Sequence, residues 1–150
     1  LNLKNNFFDN FIHLEMRNEL LFSEDPYKAN IENLNSIINA INITKKYNIN
    51  RLIYFSTYHV YKNEKNNTYE NSTLFTNNLY SNNHLFSENL IKNLLKNNQY
   101  LILRAPNIYG LYGNTRFKRL TLLPFHLCNQ ILKNKEIVLI SNGSQYKNFV

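Results

Sequence analysis

Short, nearly unbroken apolar runs alternate along the chain with longer stretches in which apolar residues recur every three or four positions. Four runs have the length of a strand: "FIHL" (11–14), "RLIYFS" (51–56), "YLILRAP" (100–106) and "EIVLI" (136–140). They are rich in β-branched and aromatic residues, as strands are. Between the first two, Ile31, Leu34, Ile38 and Ile41 follow one another at spacings of three, four and three. That spacing predicts one apolar stripe on a long helix. Asp25 is placed to cap this helix and Pro26 suits its first turn. The stretch "LYSNNHLFSENLIKNLLKNN" (79–98) predicts a second amphipathic helix, and a third is expected over residues 120–133. Residues 61–78 are polar without a period and read as a loop, and "NIYGLYGNTRF" is rich in turn formers.

The predicted order is β-α-β-α-β-α-β. Continuous apolar strands joined by helices imply a parallel sheet covered on both faces, with right-handed crossovers. The expected fold class is therefore α/β: a doubly wound parallel sheet in three αβα layers. Ligands of such sheets bind beyond the carboxyl ends of the strands. The informative positions should follow Leu14, Ser56 and Arg104.

Composition changes this picture little. Hydrophobic residues make up 43% and aromatics 14% of the 150 residues, enough for a packed core. Asparagine is far above ordinary usage, yet the apolar period persists through the Asn-rich parts, as in a folded chain. The net charge of +7, from 17 Lys+Arg against 10 Asp+Glu, invites a nucleic-acid reading. The lysines are scattered singly or in pairs, and no helix-turn-helix or zinc-finger spacing occurs, so nucleic acid is not an expected partner. With Cys128 the only cysteine and the four histidines dispersed, neither an internal disulfide nor a zinc site is expected. No apolar run approaches the roughly 18 residues of a membrane span and no signal peptide is visible, so the expectation is a soluble, cytoplasmic chain without a membrane partner.

The chemistry lies after the second strand and at the head of the second long helix. Ser56 and Thr57 place hydroxyls at a strand's carboxyl end. Tyr80 and His84 stand four residues apart, on one helix face. A strand-tip hydroxyl and a tyrosine at the next helix head can converge on one spot. A phenol works as an acid or base when a neighbouring cation brings its pKa, near 10 when free, toward neutrality.

These segments resemble, in order, those of the extended short-chain dehydrogenase/reductase family, in particular its NAD-dependent epimerase/dehydratase group, which modifies nucleotide sugars. "FIHL" resembles V-I-H-L-A-A, "ANIENLNSIINA" resembles N-V-x-G-T-x-N-L-L-E-A, and "YFSTYHVY" resembles F-S-S-x-x-V-Y-G. "YSNNH" stands in the place of Y-x-x-x-K, "LRAPNIYG" in that of L-R-x-x-N-V-Y-G, "TLLPF" in that of N-L-x-P, and "GSQYKNFV" in that of G-x-x-x-R-D-F-I. The resemblance spans essentially the whole chain. It implies an incomplete Rossmann-like domain, an internal fragment that starts after the glycine-rich G-x-x-G-x-x-G unit and stops where most of a substrate domain would follow. Residues 107–150 would lead into that substrate-binding part.

The resemblance implies NAD as cofactor, with NADP not excluded, and a nucleotide sugar as substrate. Tyr80 would be the acid/base, Thr57 its hydroxyl partner and His84 the stand-in for the family's lysine. Cofactor contacts would fall on Leu14, Asn30, Ser56, Tyr80, His84, Ala105 and Pro106. Substrate contacts would fall on Thr57, Asn107, Thr121, Leu122 and Lys147. Three residues depart from the pattern: His84 replaces lysine, Glu15 stands where small residues approach the cofactor, and Lys147 replaces an arginine. A non-catalytic nucleotide-sugar binding module of the same fold is the alternative. A second copy could pair with this chain through the long helices of the domain.

Overall fold

The computed structural model describes residues 7–62, 67–108, 110, 123–139, 142–143 and 150. They fall into two compact units, Leu1–Ala105 and Pro106–Val150. The first holds a parallel sheet of three strands in the order β1 (Asn10–His13), β2 (Arg51–Thr57), β3 (Tyr100–Ala105). Long crossovers join them. A short helix α1 (Glu19–Glu24) and a long helix α2 (Pro26–Lys46) lie between β1 and β2. A 3-10 turn (Tyr58–Val60) and helix α3 (Leu79–Leu94) lie between β2 and β3. This is the Rossmann-like β-α-β-α-β order that the alternating pattern predicts.

Each helix of the first unit starts at a side-chain cap. The Asp25 carboxylate accepts from the Lys28 amide at 3.0 Å and Pro26 opens the first turn of α2. Asn78 accepts from the Ser81 amide at 2.8 Å and starts α3. Asn18 does the same for α1, a helix the apolar pattern does not show. Beyond the end of α2, Asn48 takes a φ of 50°, the left-handed turn that Asn tolerates better than most residues.

Register sorts the strands into two faces. His13, Tyr54 and Ile102 lie in one row, and Phe11, Leu52 and Tyr100 in another on the same face. That face meets α2 and α3 in a core of Ile37, Ala40, Ile41, Leu52, Tyr54, Ile91 and Leu95. The opposite face presents the row Ile12, Ile53 and Leu101, with Ile12 and Leu101 exposed. It is the apolar surface that a doubly wound sheet offers its second helix layer.

The expected stripe on α2 is corrected by the structure. Ile31 and Ile38 are exposed, and the buried face runs through Ala29, Asn33, Ile37, Ala40, Ile41 and Thr44. Small and polar residues face inward because α2 is tied to its neighbours by carboxamides. The Asn33 amide donates to Asn83 of α3 (3.1 Å), and the Arg17 backbone donates to Asn33 (2.7 Å). Such buried amides keep partners, and their spacing is invisible to an apolar count.

In the second unit, α4 (Leu123–Asn134) covers the described part of the third predicted helix. The expected strand at 136–140 is absent over its described residues, 136–139. Lys135 turns the chain with a φ of 60°, and the Gln130 carboxamide then takes both backbone groups of Val138 (2.8 and 3.1 Å). Those are the groups a strand ladder would need.

Within the first unit, Glu88 is the main tie between α3 and the sheet. Its side chain is fully buried. It accepts from Ser56 Oγ of β2 (2.6 Å), from Arg104 Nε and Nη2 of β3 (3.0 and 2.7 Å) and from Lys92 (3.4 Å). Arg104 also donates to the Tyr61 hydroxyl (2.9 Å). Burial raises the Glu88 pKa, but the hydrogen bonds from Arg104 and Ser56 and the charges of Arg104 and Lys92 outweigh it and hold the carboxyl below the usual range. Removing one partner of such a pair strands a buried charge. Arg104→Ala is therefore expected to lower stability by about 3–5 kcal/mol in urea denaturation, with the joint Glu88→Leu and Arg104→Met replacement recovering most of the loss. A near-neutral single variant would show that the pair carries no such weight.

Candidate functional site

Two segments of the first unit bring the candidate residues together. β2 ends at Thr57, which is buried, and its hydroxyl accepts from the His59 amide at 3.2 Å, which shapes the 3-10 turn that follows. α3 starts two residues before Ser81, so Tyr80 sits in its first turn. The two segments meet through rings. His59 packs edge-on to Tyr80 at 6.4 Å, and Tyr80 packs edge-on to His84 at 4.7 Å and to Phe22 of α1 at 5.8 Å. Tyr80 is half-buried, and His84 is only 3% exposed. Helix spacing places Tyr80, His84 and Glu88 on one face, so the Glu88 clamp also sets where the pair points.

His84 is bonded from behind. The Tyr54 hydroxyl, in the middle of β2 and fully buried, lies 2.8 Å from His84 Nδ1. The other ring nitrogen, Nε2, is buried and has no hydrogen-bond partner among the described residues. Burial lowers the His84 pKa to about 4; Glu88 pulls it up, while His13 and His59 push it further down. His84 is thus a neutral imidazole at physiological pH, not a cation. Burial raises the Tyr54 phenol far above its ordinary value, so it keeps its proton. His13, at the end of β1, is also lowered by burial against the pull of Glu15. Its Nε2 lies 2.9 Å from Ser36 Oγ, and its ring packs 5.8 Å from Tyr54.

The other expected site residues have varied places. Ser56 spends its proton on Glu88 and so holds the sheet to α3. Asn30 donates to the Pro26 carbonyl (2.9 Å) and accepts from Asn83 (3.0 Å), joining α2 to α3. Leu14 is exposed just past β1, and the Glu15 carboxylate beside it meets Ser36 Oγ at 3.3 Å. Ala105 is half-buried at the end of β3. Pro106 and Asn107 open the second unit, where the Asn107 carbonyl accepts from the Val150 amide at 3.0 Å. Thr121, Leu122 and Lys147 lie outside the described residues. Among the described residues there is no cluster of His, Cys, Asp or Glu able to hold a metal ion, and no helix long and apolar enough to cross a membrane.

Sequence reasoning missed Tyr54 and Glu88. A signal for both was present. Tyr54 is two residues before Ser56, hence on the same strand face, and Glu88 is one helical turn after His84.

The model of the NAD dependent epimerase/dehydratase family matches residues 3–150. The chain belongs to the NAD-dependent epimerase/dehydratase family. NAD is the family's cofactor. Among solved structures, the chain is similar to a UDP-N-acetylglucosamine 4-epimerase from Methanobrevibacter ruminantium M1 (19% identity, TM-score 0.77), covering 95% of this chain and 47% of that one. It is also similar to a UDP-glucuronic acid 4-epimerase from Bacillus cereus, solved with UDP-glucuronic acid and NAD (22% identity, TM-score 0.79; 94% and 45%). An NAD-dependent NDP-hexosamine 5,6-dehydratase involved in tunicamycin biosynthesis is a third (20% identity, TM-score 0.79; 95% and 47%). At these identities the likeness is one of fold, and the chain spans about half the length of each. No curated protein gives a significant match.

Because the folded state resists protonation of His84, stability depends on pH with a definite sign. The folded pKa of about 4 lies below the ordinary 6.5, so between those values the unfolded chain binds the proton and the folded chain does not. Stability is therefore full above pH 6.5 and falls as the pH drops toward 4. The loss due to His84 amounts to about 2–3 kcal/mol by pH 4.5. Lowered pKa values at His13 and Glu88 act in the same direction. Urea denaturation at pH 7.5 and pH 4.5 checks this, with His84→Gln expected to flatten the dependence. Equal slopes in both proteins would contradict the assignment.

Proposed function

We propose that the whole protein interconverts or dehydrates a nucleotide sugar with NAD as cofactor, and that Tyr80 is its acid/base. The observation that carries this reading is the Tyr80–His84 pair at the head of α3, ring against ring and linked through His59 to the strand-end hydroxyl of Thr57. It stands in a chain that the family model matches almost throughout.

The residues fit the cofactor in one respect. His84 Nε2 is a buried polar atom without a partner among the described residues, as a group awaiting a ligand hydroxyl would be. NAD, when bound, supplies a hydride acceptor and donor for one carbon of the sugar. Tyr80, as the phenolate, would take the proton of a sugar hydroxyl and, as the resulting phenol, return it in the reverse step. Thr57, held by the His59 amide, keeps its own hydrogen to donate to that oxygen. His84 would give a hydrogen bond to a cofactor hydroxyl, but as a neutral ring it places no full positive charge beside the phenol. Asn107, Thr121, Leu122 and Lys147 would contact the nucleotide sugar, and Leu14, Ala105 and Pro106 the cofactor. Asn30 and Ser56 serve the same site from behind, through the helix and strand they fix. Exposed Ile31 and Ile38 of α2, with Leu79, Phe86 and Leu94 of α3, are the surface on which a second copy would pair.

The absence of a cation at His84 favours a second reading: a module that binds a nucleotide sugar without turning it over. The two separate in the full-length protein. Given NAD and a panel of UDP-sugars, turnover followed by NMR of the sugar ring is expected, and Tyr80→Phe should reduce it by about 10²-fold or more. Unchanged turnover in that variant rules out Tyr80 as acid/base. Calorimetric binding of a UDP-sugar without turnover favours the binding module.

A further inference from the structure

The buried pair Tyr54–His84 has a chemical consequence. A neutral imidazole carries one proton and so has one donor nitrogen and one acceptor. Which nitrogen is which is set by the partner of the other. His84 has one such partner among the described residues, the Tyr54 hydroxyl 2.8 Å from Nδ1. Tyr54 is fully buried, so its phenolic hydrogen needs an acceptor nearby. Ser87 is close to it, and its oxygen, whose own hydrogen goes to the Asn83 carbonyl (2.9 Å), is the competing acceptor. The imidazole lone pair at Nδ1 is the better acceptor, and it lies at normal O–H···N distance.

We propose that Tyr54 is a positioning residue: its hydroxyl donates to Nδ1 of His84 and fixes the ring as the neutral Nε2–H tautomer, a preset hydrogen-bond donor toward a ligand hydroxyl at the head of α3. The place that resembles Y-x-x-x-K then holds a donor whose direction is set by the strand beneath it rather than by a charge. The buried Nε2 without a partner is the second observation, since such a group costs free energy until something satisfies it. Tyr54 touches neither substrate nor cofactor. It acts through His84, whose ring is wedged between Tyr54 and Tyr80 at centroid distances of 6.0 and 4.7 Å. The ligand hydroxyl is taken as that of a dinucleotide ribose, and this part rests on the function proposed above.

The test is ¹⁵N NMR of the full-length protein with ¹⁵N-labelled histidine, without cofactor, at pH 7.5. The His84 signals are identified by their loss in His84→Gln. The expected result is a proton on Nε2 and a bare Nδ1. In Tyr54→Phe, which keeps the ring and its packing, the two nitrogens should move toward an averaged mixture. In the same variant the dissociation constant for NAD, by calorimetry, should rise about three- to tenfold, the worth of one hydrogen bond. A wild-type ring protonated on Nδ1 overturns the proposal, and that measurement needs no variant to fold. A Tyr54→Phe protein with an unaltered tautomer overturns it as well. A wild type that binds no NAD yet shows the Nε2–H tautomer, lost in Tyr54→Phe, leaves Tyr54's role standing and refutes the dinucleotide reading alone.

Discussion

The buried Glu88 carboxylate is the interaction on which the arrangement of the first unit depends. A charge with no exposure is tolerable only when its oxygens are fully engaged. Here they are met by a hydroxyl from β2, a guanidinium from β3 and a lysine from its own helix. The demand is geometric as well as energetic. Apolar packing alone would let α3 roll about its axis, since Ile91 and Leu95 can be buried over a range of angles. Hydrogen bonds to Ser56 and Arg104 allow essentially one. Because Tyr80 and His84 lie two turns and one turn before Glu88 on the same face, that angle also carries Tyr80 to the turn after β2 and His84 onto Tyr54 in the middle of the strand.

Once α3 is set, the inner layer of the site follows from burial. His84 comes to rest on Tyr54, and the low dielectric that keeps the phenol protonated also keeps the imidazole neutral. A lysine there would need its charge met by other groups. A histidine can instead be buried and directed. At this position a buried imidazole presents a dipole where a lysine would present a point charge. Around it, Asn30, Asn33 and Asn83 join α2 to α3 through side-chain amides, so the asparagine-rich composition becomes local hydrogen-bonding structure at this place.

Much of the fold was legible in the chain. β2 and β3 appear where apolar runs of strand length stand, the cap at Asp25 starts α2, and α3 begins at the predicted Leu79. Periodicity misplaced the inner face of α2, because a helix tied by carboxamides buries Asn33 and leaves Ile31 and Ile38 outside. It also mistook the apolar 136–139 for a strand, because an i+8 contact from Gln130 claims the backbone of Val138. In the site, Thr57, Tyr80 and His84 are expected together from their order along the chain, and the structure packs Tyr80 against His84 and against His59 of the turn that Thr57 caps. Ser56 and Asn30 are expected there too, but their bonds to Glu88 and Asn83 are not visible in that order.

By itself the sequence determined the alternation of strands and helices, the cap that starts α2, and the family, through motifs of fixed order and spacing. These are local or linear properties, set by φ/ψ preference and by periods of two and 3.6 residues. The tertiary structure decided what each polar side chain is for. That Glu88 locks α3 to two strands, that His84 is neutral, and that Tyr54 stands behind it are facts about residues 16 to 32 positions apart. They exist only once the chain has folded, because burial and pairing, not residue type, set the charge and direction of each group.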